Sequence, residues 1–409
     1  MSASMTPSFC RLSYLVGGLR ISVGQLSTTP GPRTHILGFT RALDAFSVKH
    51  VTIVASELPG LGRFARLPEG VAARSSRVKV LIGDLVRIAA ALWCGINVLV
   101  REWPERRTTT IVYERMGVFQ SLASFHPAKK RAVRVVESQS LLANETARDR
   151  QAIVLERLAA WLERRSFEKA DLIVAVSPGV RDDILKFARV QREKVLVLPN
   201  ATSQELARRP IPPLGKTTIG FVGAVVPWHR LDRLLEAVQA CGDPGVDVEI
   251  VGDGPAVEPL RRLTEELGMT ERVAFTGRLS HAEALERVAS WSVGYAGHEK
   301  TWATSMYHSP LKLYEYAALG LQILCTRAPD ALTLKRDGVS VHDFEASDTD
   351  SLGEALQRSI ECARLDSDEA RASRRRIVDA RHTWEARVQE FLLAIDARTS
   401  LLDGDIETR

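Results

Sequence analysis

The chain has 409 residues, 45% of them hydrophobic, which is enough for two substantial domains and too apolar for a disordered protein. Its 55 Lys and Arg against 50 Asp and Glu give a formal charge of +5, spread along the chain rather than gathered in one basic tract, so no nucleic-acid partner is indicated. The five cysteines, Cys10, Cys94, Cys241, Cys325 and Cys362, are far apart and include no Cys-x-x-Cys pair, which predicts a reducing compartment and no zinc site.

The N-terminal MSASMTPSFCRLSYLVGG lacks a basic stretch followed by an apolar one, so no signal peptide is expected. From there, short apolar runs alternate with helical patterns: LSYLVGG, THILGFTRALDAF, HVTIVAS, TTTIVYER, AVRVVES, a long helix near 144 to 168, ADLIVAVS, GVRDDILKFA and KVLVLPN. Strands rich in Val and Ile, separated by helices, predict a parallel sheet covered on both faces. Between them, residues 78 to 96, VKVLIGDLVRIAAALWCGI, read as a buried helix, with an acceptor-side or membrane-facing apolar surface as the alternative. The low-charge run from Ile88 to Val100 falls short of the roughly 20 apolar residues that span a bilayer.

After Asn200 the pattern stops. Residues 202 to 215, TSQELARRPIPPLG, carry three prolines and no hydrophobic period, and read as a linker. A second series follows: KTTIGFVG, LDRLLEAVQAC, VDVEIVGDGP, VEPLRRLTEELG, RVAFTG, HAEALERVAS, WSVGYAG, SPLKLYEYAALG and LQILCT. The expected architecture is α/β, with two Rossmann-like domains facing across a cleft. The first covers residues 1–201 and the second 216–380, while 381–409 is a C-terminal helix crossing back to the first domain and a polar tail. Ligands in such sheets bind beyond the carboxyl ends of strands, here after Gly18, Val222, Val251, Phe275 and Tyr295.

The stretch SPLKLYEYAALG predicts a helix over 310–319, with Ser309 as N-cap, Pro310 at the first position and Gly320 after the last turn. Lys312 and Glu315 share one face at i,i+3. A lysine in the first turn opposes the helix dipole, unless an anion rests on the free N–H groups there. The plain alternative is a solvated Lys–Glu pair. Upstream, Gly223 and the loop holding Trp228, His229 and Arg230 lead from a strand into a helix, a second anion-binding arrangement, and EIVGDGP adds close-approach positions at Gly252 and Gly254. In the first half, Gly31, Arg33 and His35 lie between strand and helix, and Glu137 and Gln139 end AVRVVESQS. These are places for phosphates or an acceptor, or for ordinary capping.

The strings FVGAVVPWHR, VEIVGDGP, RVAFTGRLS, SPLKLYEYAALG and RHTWEARVQEFL resemble the family 4 retaining glycosyltransferases of GT-B fold. TTPGPRTHILGFTRAL, IVYER, VVESQSLLANE, ADLIVAVS and VLVLPNA are similar to that family in the same order. The resemblance implies transfer of a sugar from a nucleotide-sugar donor, with retention, to a glycan, a glycolipid or a small metabolite. It places the donor on the second domain. There Glu315 matches a ribose-binding glutamate, and Lys312 with the backbone near Ser309 and Leu311 meets the diphosphate. Backbone groups near Arg278 and Leu279 would meet the base. Lys312, Glu315, Glu137 and His35 are the expected catalytic set, and Gly31, Gly223, His229, Arg230, Gly252 and Gly254 the further donor contacts. No cofactor or metal is expected: the DTD at 348–350 reads as a helix cap and the DGD at 403–405 as part of a polar tail. The implied setting is cytoplasmic, with peripheral contact to the inner face of a membrane as an option.

The sequence departs from the family pattern at Tyr307, in place of an acidic residue, at Ala224 and His229, in place of Arg and Lys, and at Arg230, where glycine is common. These departures suit a variant site marked by Trp-His and Ser-Pro-x-Lys. A binding protein without transfer activity, or a sugar-nucleotide epimerase of the same architecture, are the other readings.

Overall fold

The computed structural model describes residues 9, 11–24, 29–57, 77–102, 110–121, 132–149, 152–210, 212, 215–299 and 309–407. These fall into two compact units. The described residues up to Asn200, together with Ser309 and the chain from Trp384 onward, form the first; those from Ala201 to Glu299 and from Pro310 to Thr383 form the second.

The first unit holds a six-stranded parallel sheet in the order β2-β1-β3-β4-β5-β6. Its strands are β1 (Arg11–Val16), β2 (His50–Val54), β3 (Thr110–Arg115), β4 (Ala132–Ser138), β5 (Leu172–Ala175) and β6 (Val195–Val197). Leu12, Ile111, Val133 and Ile173 are fully buried, as expected where helices cover both faces of a parallel sheet. Helices α1 (Pro30–Ala45), α2 (Arg77–Glu102), α3 (Glu156–Lys169) and α4 (Pro178–Phe187) connect the strands. The single helix expected near 144 to 168 is instead a turn at Leu142–Asn144, a π turn at Glu145–Asp149, and then α3.

The second unit repeats the design in the order β12-β11-β10-β7-β8-β9, again all parallel. Here β7 is Thr217–Val222, β8 Val246–Val251, β9 Val273–Gly277, β10 Val293–Ala296, β11 Gln322–Thr326 and β12 Val341–Phe344. The strand order reverses between β7 and β10, which pair from Val293 to Ile219. In open α/β sheets a crevice opens at such a point. The helices are α5 (Gln204–Arg208), α6 (Leu231–Cys241), α7 (Val257–Glu266), α8 (His281–Ala289), α9 (Leu311–Ala318), α10 (Pro329–Arg336), α11 (Thr349–Arg364) and α12 (Asp368–Arg381). The last helix, α13 (Trp384–Glu407), belongs to the first unit, where Phe391 meets Phe39 and Tyr113 at ring separations of 5.8 and 5.2 Å.

Three expectations are corrected. The segment 202–215 contains α5, capped by the Ser203 side chain, and its Leu206 and Ala207 enter the second core. Residues 403–405 lie within α13 rather than in a tail. Helix α2 buries only one side. Asp84, Ala90, Cys94 and Val98 turn inward, while Leu81, Ile82, Leu85, Leu92, Trp93 and Ile96 are exposed.

Candidate functional site

Helix α9 is held at the β7/β10 switch point by Tyr316, whose hydroxyl accepts the Val222 N–H (3.2 Å) and donates to the Tyr295 carbonyl (3.3 Å). The ring lies over Gly294, where a Cβ would come within 2.4 Å of it. One side chain therefore ties the helix to the ends of both strands. The helix begins one residue later than predicted: Pro310, in extended conformation, occupies the cap position, and Ser309 Oγ instead accepts the Asn200 N–H at 2.8 Å.

Lys312, in the first turn, points back to the end of β7. Its Nζ lies 4.0 Å from the centre of the Phe221 ring and would be 3.4 Å from a Cβ at Gly223. The ammonium is inaccessible to solvent and has no hydrogen-bond partner. An unpaired buried cation is unstable, and burial lowers the Lys312 pKa to about 7, against the opposing pull of Glu315. Burial likewise raises the Glu315 pKa to about 7, with Lys312 opposing. Both groups are set for a partner of opposite or hydrogen-bonding character.

Gly223 (φ +139°) and Gly252 (φ +139°) sit at the ends of β7 and β8 in backbone conformations that side chains rarely adopt. A Cβ on Gly252 would lie 1.9 Å from the Gly223 carbonyl oxygen, and one on Gly254 would lie 2.3 Å from that of Val225. Gly252 and Gly254 thus serve the close approach of two loops, which leaves Gly223 as the glycine facing Lys312. The Gly252 N–H donates to the Gly277 carbonyl, bringing the end of β9, and with it exposed Arg278 and half-buried Leu279, beside the same loops.

The loop after β7 differs from expectation. His229 packs on Phe221 (5.1 Å) and His298 (5.9 Å), with Nδ1 3.1 Å from the Gly297 carbonyl. Arg230 adopts φ +50° and gives its guanidinium to Asp232 (3.0 and 2.9 Å) and Glu299 (2.7 Å), partners that hold its pKa above the usual value. Two carboxylates thus pair with Arg230, and it fixes the loop in this structure. Glu299 is the residue that sequence reasoning missed.

In the first unit, His35, Glu137 and Ser309 meet in one buried network. His35 Nε2 is 2.9 Å from Glu137 Oε1 and its Nδ1 is 2.6 Å from Asn200 Oδ1; the Asn200 amide also donates to the Ser309 carbonyl. The Tyr113 hydroxyl donates to Glu137 Oε2 at 2.9 Å, Gln139 donates to Oε1, and Arg115 Nε is 3.5 Å away. Burial raises the Glu137 pKa, but His35, Arg115 and these hydrogen bonds outweigh it and hold the carboxylate below its usual value. At 1% exposure, with both oxygens engaged, Glu137 is a buried anchor of this network, and His35 is buried beside it. Gly31 is the second residue of α1, and Arg33 donates to the Val23 and Gly24 carbonyls. Tyr307 lies outside the described residues. Among the described residues no three His, Cys, Asp or Glu side chains converge as metal ligands, and Asp348 caps α11 through the Ser351 N–H.

The profile described as "Glycosyl transferases group 1" matches residues 203–376, and that described as "Glycosyltransferase Family 4" matches 31–206. The chain belongs to the family 4, group 1 glycosyltransferases. It is 24% identical over 291 residues to 2-deoxystreptamine glucosyltransferase of Streptomyces kanamyceticus, covering 61% of this chain and 70% of that protein. To 2-deoxystreptamine N-acetyl-D-glucosaminyltransferase of Streptomyces fradiae it is 30% identical over 139 residues, 31% of this chain and only 33% of that relative's length. Sucrose-phosphate synthase from Thermosynechococcus elongatus has a similar fold (TM-score 0.67, 15% identity, 95% of this chain and 100% of that one). So does Anabaena Alr3699/HepE, solved in complex with UDP (TM-score 0.61, 16% identity, 95% and 100%). The fold of this glycosyltransferase is GT-B.

Proposed function

We propose that this glycosyltransferase takes its sugar from a nucleoside diphosphate sugar, seated on the second unit with the diphosphate at the start of α9 and the ribose beside Glu315. The observation that carries this is the Lys312 ammonium, buried without a hydrogen-bond partner beside Gly223. The free N–H groups of the first turn and this lysine would hold a dianion together. The bond between the anomeric carbon and the phosphate oxygen breaks as negative charge grows on the diphosphate. The new bond forms to an acceptor hydroxyl on the same face, with retention, and its proton passes to the leaving phosphate. Fixed donors aimed at such developing charge are worth about 3 to 4 kcal/mol each.

The capture of Arg230 by Asp232 and Glu299, with Ala224 next to Gly223 in the same loop, favours one second reading, a donor-binding protein without transfer. Calorimetric titration of UDP, GDP and ADP into the wild type and Lys312→Ala tests the donor site. Binding of one nucleotide that Lys312→Ala weakens by about 10²-fold supports it, and equal binding by both proteins removes it. Product analysis with the nucleotide sugar so identified then separates transfer from binding alone.

A further inference from the structure

Helix α2 is inside out. Its exposed positions, Leu81, Ile82, Leu85, Leu92, Trp93 and Ile96, follow the i, i+1, i+4 spacing of one helical stripe and are between 37% and 65% exposed. The opposite stripe is committed to the protein. Asp84, fully buried, accepts the Val154 and Leu155 N–H groups and pairs with Arg87, while Cys94 and Val98 join the core with Leu15 and Val112. Helix α3 and the residues that lead into it, tied to α2 through these bonds, add exposed Val154, Leu158 and Trp161.

By length and composition, Arg77–Val98 is able to cross a membrane. A spanning helix would have to surrender Asp84, Cys94 and Val98 from the fold, so the geometry suits a helix lying in the plane of an interface. Residues 58–109 carry nine Lys and Arg against four Asp and Glu, the whole +5 of the chain, leaving 46 of each sign elsewhere. Within the helix, Arg77 and Lys79 are exposed at the start of the apolar stripe. An apolar stripe with exposed tryptophan and a basic fringe complements a surface that is apolar beneath and anionic above.

We propose that the exposed stripe of α2 docks this protein on an anionic lipid bilayer, in plane and without crossing. A second copy of the chain would cover the apolar stripe but offers, among the described residues, no anionic surface along that stripe to match Arg77 and Lys79. The proposal does not depend on the donor site.

The test uses the full chain with vesicles of phosphatidylcholine alone or mixed with phosphatidylglycerol, read by co-sedimentation. Binding to the anionic vesicles should exceed that to the neutral ones by at least about tenfold and weaken with salt. Leu85→Glu/Leu92→Glu should lower it by at least about tenfold, with circular dichroism and unfolding midpoint unchanged because both side chains already face solvent. Ile96→Asn, a gentler change, should give a smaller loss in the same direction, and Arg77→Glu/Lys79→Glu should remove the preference for anionic lipid. Any of four results overturns the proposal: no binding to either vesicle; equal binding by wild type and Leu85→Glu/Leu92→Glu; a lipid-free dimer by light scattering that this variant dissolves; or resistance of the membrane-bound chain to alkaline carbonate, the sign of a spanning helix.

Discussion

At the scale of single residues, Lys312 is in conflict with the empty protein. Its ammonium lacks a partner and its pKa is lowered to about 7, so between that pH and the ordinary lysine value of ~10.4 the unfolded chain binds the proton more tightly. The penalty is fully present below pH 7 and fades as pH rises toward 10. Lys312→Met should therefore raise the melting temperature of the ligand-free protein at pH 6, with a gain that shrinks by pH 9, and abolish further stabilisation by the nucleotide. A variant that melts lower at pH 6 would mean that the lysine is satisfied in the fold. Lys312 and Glu315 were legible in the sequence because their spacing and the bounding Ser-Pro and Gly are local signals. Asp232, two residues on, is a local partner for Arg230, but the second was not legible, since Glu299 lies 69 residues away and nothing in the intervening chain announces the pairing.

At the scale of elements, α9 is aimed by its contacts with β7 and β10. Tyr316→Phe keeps the ring on Gly294 but leaves the Val222 N–H without the phenolic oxygen, a loss of about 1–3 kcal/mol. The denaturant midpoint should fall accordingly, and nucleotide affinity with it; an unchanged midpoint would mean that another group takes up that N–H. In the first unit, Glu137 joins β4 to α1 and β3 through His35 and Tyr113. Its carboxylate titrates below the usual range, so the stability it contributes is fully present above the unfolded pKa of ~4.3 and lost as pH falls through the native one. Glu137→Gln should cost about 3–5 kcal/mol near neutrality, because Arg115 loses its buried counter-charge and His35 and Tyr113 lose a charged hydrogen-bond partner, and should flatten the acid limb of the stability profile. Strand and helix alternation was legible because period and β-branching are local. The Pro-rich 202–215 hid α5, whose burial of Leu206 and Ala207 depends on a core built from distant sequence. The same holds for α2: periodicity marks an apolar stripe but cannot say which side the protein covers.

At the scale of the whole molecule, neither unit is contiguous in sequence, and the first is completed by the last helix. Trp384 lies over Gly38, where a Cβ would come within 2.1 Å of the indole, and meets His35 at 4.9 Å. Val388, Phe391, Leu392 and Ile395 are all buried, and the Arg387 guanidinium donates to the Pro199 carbonyl. Each such apolar side chain is worth about 1.5–3 kcal/mol of burial. Together they rival the roughly 5–15 kcal/mol that separates a folded domain from its unfolded chain. The late string RHTWEARVQEFL made the return of this helix legible, whereas its partners Phe39 and Tyr113 became visible only in the fold. A chain ending at Thr383 should therefore lose its N-terminal half although every residue of that half is still present. Hydrogen exchange read by mass spectrometry should find β1, β3 and β4 of the truncated protein exchanging far faster than in the full chain, with β7, β8 and β10 still protected. Equal protection of both sheets would make α13 an accessory helix rather than part of the first core, and uniform loss would mean that the two units unfold as one.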